Sequence, residues 1–236
     1  MNRRVLITLC ALVFTQSASA QGLSVKSAEL SLSMGAANFS RKTFTIGSPQ
    51  SSTPITAGMQ MNSGKMYESR INFFTSNRIG AEVLYGYQYS GVTFTRTAPD
   101  QASFSVPIQV HTLSVNLLYY PVGKPDSGWR PFVEVGGGAV IYRPSSGGQT
   151  AAKDPLQGNF DTFFESSRAA ATVGAGVKRA LTNTLGFRVD AGMMATRVPT
   201  FGLPESSTQS NATVLPVGGL VRTVRVSAGI TFYLGK

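Results

Sequence analysis

Ten charged residues stand out for what their side chains could do: Glu29, Glu68, Arg70, Glu82, Glu134, Arg168, Lys178, Arg188, Asp190 and Arg225. Each lies in a stretch where polar and apolar residues alternate, on the side opposite the apolar one. Carboxylates and guanidiniums gathered in this way can do acid–base or electrostatic work. They divide into five acids and five bases, although the chain as a whole carries a formal charge of +10. A buried charge is costly unless it is paired, and a set that balances within itself is what a packed interior requires. These residues therefore read as a structural ladder and not as an active site.

Other chemistry is thinly represented. His111 is the sole histidine, and the nearest hydroxyl nucleophile along its strand beyond Thr112 is Ser114. A spacing of three places His111 and Ser114 on opposite faces of a strand, so His111 reads as an interfacial residue beside an aromatic belt. There is no HExxH and no phosphate-binding loop with its lysine. Gly136, Gly137 and Gly138 fall within a strand and read as packing. No catalytic residue, cofactor or metal site is expected.

The elements that position these residues begin after a leader. Arg3 and Arg4, the apolar run Val5 to Phe14 and the small residues Ala18-Ser19-Ala20 form the three regions of a cleavable secretory signal over residues 1–20. Cys10, the single cysteine, lies inside it, so the mature chain from Gln21 has no thiol, disulfide or cysteine metal site. The remaining 216 or so residues suit one domain, 21–236. No later run reaches 18 apolar residues, which excludes a helical membrane protein. A membrane barrel stays compatible, because only every second residue of its strands faces lipid.

Period-two alternation marks eight strands: Glu29 to Ala36, Met66 to Phe74, Ile79 to Ser90, Val106 to Tyr120, Arg130 to Arg143, Ser167 to Arg179, Leu185 to Met194 and Thr223 to Leu234. Between them, long segments rich in Gly, Ser, Pro and Thr (37–65, 91–105, 144–166 and 195–222) alternate with short turns. Sorting every long loop to one end predicts an all-β, eight-stranded antiparallel up-and-down transmembrane barrel, with short periplasmic turns and long extracellular loops. An even strand number brings the last strand beside the first and removes sheet edges. Inner glycines, among them Gly174, Gly176 and Gly192, leave room for long charged side chains.

In the last strand, Ser227, Gly229, Phe232 and Leu234 occupy the polar, glycine, aromatic and hydrophobic positions of the C-terminal signal by which outer-membrane barrels are recognised for insertion. With the leader, strand count, loop asymmetry and interior charges, the chain resembles the small outer-membrane β-barrel family that includes the outer membrane protein A transmembrane domain and the X- and W-type barrels. The resemblance implies an outer-membrane location and dealings with the barrel assembly machinery. Two features depart from it: Gly235 and Lys236 follow Leu234 where relatives commonly end on an aromatic residue, and no peptidoglycan-binding domain follows.

The interior set is neutral, so the positive excess belongs to loops and tails. Arg41, Lys42, Lys65, Arg96, Arg143, Lys153, Arg197 and Arg222 fall in or beside the long loops, where they could meet lipopolysaccharide phosphates. The alternative is a merely solvated basic surface, and DNA is a poor partner for an exported barrel. The expected role is non-enzymatic: envelope integrity and display of extracellular loops as an adhesin- or receptor-like surface. The second reading, like the W-type barrels, is a narrow channel or lateral transporter for small apolar compounds. A third, a lipid A-modifying enzyme, meets the obstacle that the deacylases it resembles superficially use His-x-Ser, with both groups on one face.

Overall fold

Where one side of an alternating strand meets hydrocarbon and the other meets charge, the wall has to close on itself. The computed structural model describes residues 25–40, 44–47, 56–98, 101–122, 128–154, 163–203 and 219–234. The leader expected over residues 1–20 lies outside them. In chain order the elements are β1 (Ser27–Phe39), β2 (Phe44–Gly47), β3 (Thr56–Met61), β4 (Gly64–Phe74), β5 (Ile79–Ala98), β6 (Ala102–Tyr119), β7 (Trp129–Pro144), α1 (Ser146–Lys153), β8 (Ser166–Ala180), β9 (Leu185–Arg197) and β10 (Leu220–Leu234). Antiparallel pairing runs β1-β4-β5-β6-β7-β8-β9-β10 and returns to β1, which makes a closed barrel of eight strands. The closing seam extends from Ala28 against Leu234 to Phe39 against Thr223.

The two faces separate as the alternation requires. Val135 and Val226 are 57% and 51% exposed on the outside, whereas the adjacent Glu134 and Arg225 are 2% and 5% exposed within. Tyr89 toward the loop end and Tyr119 and Trp129 at the turn end stand outward as the aromatic girdles of such a wall.

The long segments hold more structure than their composition suggests. Residues 37–65 include β2 and β3, which pair as a hairpin. β3 continues along β5 above β4: Lys65 faces Tyr89 on one rung, and Met61 faces Val92 beyond it. The expected loop 91–105 is mostly strand, with Val92 paired to Val106 and Arg96 to Ala102. β5 and β6 thus reach 20 and 18 residues, roughly twice the 9–11 needed to cross a bilayer. The expected loop 144–166 carries α1, whose cap Ser145 accepts a hydrogen bond from the Gly148 amide at 3.1 Å.

One physical change explains the missed strands. In the lower part of β5 the inward residues Glu82, Gly86 and Gln88 are polar or glycine, with Leu84 the one large apolar side chain among them, and Val83, Tyr85 and Tyr89 point out. Past Gly91 the period of two continues, but the inward residues become Val92 and Phe94, both fully buried, and the outward ones are Thr93 and Thr95. β6 inverts likewise between Val115 and Ile108. Above the bilayer the solvent outside is water, so the apolar face turns inward.

The lumen is consequently layered. Phe74, Leu118, Tyr120 and Phe132 close the turn end. Charged side chains occupy the middle. Toward the loop end lies an apolar core that includes Phe39, Met59, Phe94, Ile108, Tyr142, Phe163, Phe201 and Val221.

Candidate functional site

The middle layer follows from parity: each of its residues occupies an inward position of a strand whose alternate neighbours face lipid. Three arginines and three acids close a ring in which cation and anion alternate. Arg188 Nε donates to Asp190 Oδ2 at 2.9 Å. Arg70 Nη1 donates to the same carboxylate at 2.7 Å and Arg70 Nη2 to Glu68 Oε2 at 2.5 Å. Arg225 Nη1 continues to Glu68 Oε1 at 3.0 Å, and its Nη2 donates to Glu134. Arg188 Nη2 completes the circuit to Glu134 Oε2 at 3.2 Å.

The ring also spans the lumen. Arg188 on β9 reaches Glu82 on β5 at 2.5 Å, and these strands stand four places apart around the eight, on opposite walls. Lys178 binds Glu29 at 2.6 Å nearer the turn end. Asn72 joins the two groups, with its oxygen 2.7 Å from Lys178 Nζ and its nitrogen 2.8 Å from Glu82 Oε2.

Nine of the ten charges expected inside are therefore connected. Arg168 stands apart: it is half-buried at the loop end and donates to the Val198 carbonyl at 3.0 Å and to Thr200 Oγ1 at 2.7 Å. Among the described residues the lumen at that height is apolar and offers no carboxylate. The joined set holds Glu29, Glu68, Glu82, Glu134 and Asp190 against Arg70, Lys178, Arg188 and Arg225, so neutral donors supplement the cations. Ser227 Oγ donates to Glu68 Oε2 at 2.9 Å, and Asn116 Nδ2 to Glu82 Oε1 at 3.2 Å. Asn116 in turn accepts from Thr172 Oγ1 at 2.7 Å. Sequence reading missed Asn72, Asn116 and Thr172, although the parity that marks the charges marks them too.

Glycine makes two of these contacts possible. A Cβ on Gly174 would lie 2.7 Å from Glu134 Oε1, and one on Gly192 would lie 2.9 Å from Arg225 Nε. Backbone without a side chain lets the long side chains lie flat against the wall.

The remaining candidates are more scattered. Ser227 and Gly229 of the terminal signal point inward, and Phe232 and Leu234 outward. His111 faces out, its Nδ1 2.9 Å from the Tyr85 hydroxyl and its ring 5.3 Å from that of Tyr87. Ser114 is buried inside, so the two lie on opposite faces.

Among the basic residues of the loop end, Lys65, Tyr89, Gln109 and Arg143 form one row across β4 to β7. Arg143 Nε donates to Glu165 at 2.7 Å in an exposed pair. Arg197 and Arg222 are exposed on the adjacent strands β9 and β10, where Arg197 faces Leu220 and Arg222 faces Ala195. Arg41 and Lys42 lie outside the described residues, as does the Arg96 side chain.

Comparison with known proteins adds two findings. A family model described as the outer membrane protein beta-barrel domain matches residues 6–218. Among solved structures, the outer membrane protein OprG from Pseudomonas aeruginosa superposes with a TM-score of 0.58 at 11% identity, over 92% of this chain and 99% of its own. Neisserial surface protein A gives 0.50 at 14% identity, over 87% and 96%. At such identities the likeness is one of fold. No curated protein matches the chain.

Proposed function

The chain belongs to the outer membrane protein β-barrel family, and on that footing we propose that it is a non-enzymatic, plugged barrel whose task is to hold an ordered extracellular head above the outer membrane. The observation that carries this reading is the alternating charge ring from Arg188 to Glu134, which crosses the lumen between opposite walls. It lies between an aromatic layer below and an apolar core above. A passage through the axis would have to break several buried ion pairs at once, each costly to separate. The long β5–β6 hairpin and α1 build the head, and the name of Neisserial surface protein A, whose fold is similar, fits a display role.

A second reading rests on a different observation. β1 pairs with β4 only as far as Ala37 opposite Gly64, and β3 pairs with β2 and β5. Asn38, Phe39, Gln60, Met61, Asn62 and Ser63 line the gap between β1 and β3, a cavity of about 400 Å³. Of these, Phe39 and Met61 belong to the apolar core. This favours a sideways route for small apolar compounds that avoids the charge ring.

Planar-bilayer recordings test the first reading: the purified barrel gives no stable single-channel steps, and their appearance would overturn the plugged lumen. The second predicts faster entry of a small apolar fluorophore into proteoliposomes, abolished by Met61→Trp. Equal entry with and without protein would remove it.

Lipopolysaccharide is the partner proposed for the row Lys65–Tyr89–Gln109–Arg143. Its two cations flank an aromatic and an amide at the level of the loop-end tyrosine, and Arg and Lys both bind phosphate strongly. The exposed Arg143–Glu165 pair is worth only about 0.2–1 kcal/mol, so a phosphate can displace the carboxylate. The double variant Lys65→Gln/Arg143→Gln is expected to lose the salt-sensitive part of lipopolysaccharide retention on a column. Retention with an unchanged salt slope would refute the assignment.

A further inference from the structure

At the turn end the aromatic layer closes the lumen, and beneath it the barrel opens into a cavity of about 270 Å³. Short turns belong to the periplasmic side of outer-membrane barrels, so the cavity faces the periplasm. Its wall carries Lys26, Arg130 and Lys178 against the single carboxylate Glu29, a formal excess of two positive charges. Lys178 is already committed to Glu29 at 2.6 Å. Lys26 and Arg130 are not committed to any acid among the described residues.

Arg130 is held as a binding group would be. Its guanidinium carbon lies 3.8 Å over the Tyr120 ring and 5.2 Å from the centre of Phe74, and Nη2 donates to the Asn77 carbonyl at 2.6 Å. Stacking and this one bond fix the plane of the group. Its Nε is shielded from water, so the donor left to meet a solute is Nη1, which has no hydrogen-bond partner among the described residues. The Asn183 amide and the Tyr233 hydroxyl line the same cavity and have no hydrogen-bond partner among the described residues. Two cations without a carboxylate partner and two neutral groups without a hydrogen-bond partner, among the described residues, thus surround one small space.

We propose that the periplasmic mouth of this barrel is a binding site for a small solute anion bearing a carboxylate or phosphate group, held chiefly by Arg130 and Lys26. Planar anions suit a guanidinium whose orientation is already set, because two parallel N–H donors match two oxygens. Phe74, Ala28 and Ala180 supply an apolar wall for a short hydrocarbon body. The volume is below the 300 Å³ or so where pockets for drug-sized ligands begin, which restricts the occupant to a small solute. The focused positive potential of a recess lined by one sign of charge draws such anions in.

The test uses the full mature chain in detergent micelles, with backbone amide resonances of Gly128, Thr182 and Asn183 followed as succinate or inorganic phosphate is added. Saturable shifts are expected, weakened at least about tenfold by Arg130→Gln and by Lys26→Gln and unaffected by Lys65→Gln at the opposite end. Saturation by succinate alone identifies a carboxylate site, and by phosphate alone a phosphate site. Lys26 is exposed, so Lys26→Gln remains informative even if Arg130→Gln loosens the aromatic layer. Shifts that never saturate, or that saturate equally in both variants, overturn the proposal.

Discussion

Replacing Arg188 by methionine lowers the stability of the barrel by about 3–5 kcal/mol, the cost of leaving a buried charge without its partner. Arg188 touches Glu82, Glu134 and Asp190. Asp190 keeps Arg70 and Glu134 keeps Arg225 when it is lost. Glu82 is left with Arg70 Nε at 3.7 Å and two neutral amides, so the damage concentrates there. Urea unfolding in lipid vesicles, followed by the mobility difference between folded and boiled samples on gels, reads the effect. The double variant Glu82→Gln/Arg188→Met is expected to recover more than half of the loss, because it removes the stranded charge. If the single variant falls within about 1 kcal/mol of the parent, which is the range of ordinary substitutions, the ring contributes little. If the double variant recovers nothing, the loss is one of packing and not of charge.

The second large effect is at the loop end. Phe201→Ala is expected to cost about 3–5 kcal/mol of local stability and to leave the membrane wall folded. Phe201 is fully buried, stacked on Phe163 with centroids 4.7 Å apart, and edge-on to Tyr142 at 6.5 Å. Its backbone sits at φ +51°, and Gly202 follows at +86°. A residue other than glycine pays roughly 1–2 kcal/mol for that left-handed conformation, which here is offset only by the packing of its ring. Alanine keeps the strain and loses the ring. Amide hydrogen exchange checks the outcome: protection falls around residues 163–166 and 198–203, while β1, β4 and β10 keep theirs. An equal loss throughout would mean that head and wall unfold as one unit.

How much of this was legible in the sequence depended on which solvent each strand met. The membrane wall was readable because lipid outside and charge inside give alternation with a fixed sign. β3 and the upper parts of β5 and β6 were not, because beyond Gly91 the sign reverses while the period persists. A reading that requires the apolar side to face outward loses Val92, Phe94 and Phe104 there. α1 was hidden for another reason. Gly147 and Gly148 lower helix propensity, and the helix stands because Gly148 and Ala152 are buried and a side chain on Gly148 would strike Val106. Tertiary context, absent from local sequence, decides it.

Within the charged layer, parity identified which residues point inward but could not say which meet. Pairing across the lumen depends on the stagger between strands, which brings Arg188 to Glu82 on the far wall and leaves Arg168 among apolar neighbours. Ser227 had a second role that its place in a terminal motif concealed, since its hydroxyl bonds Glu68 and Asp190.

The reversal of polarity along β5 and β6 also fixes how deeply the molecule sits. If the barrel sank by one repeat of two residues, about 7 Å along a strand, outward Thr93, Thr95 and Gln109 would move toward hydrocarbon, where an unsatisfied polar group is expensive. If it rose by the same step, the outward residues at the upper edge of the apolar belt, such as Tyr85 and Leu113, would approach water instead. Both displacements are opposed, sinking by the polar outer faces of the upper β5 and β6 and rising by the apolar belt below them. The inversion therefore works as a waterline written into the chain, and it sets the height of the head above the lipid.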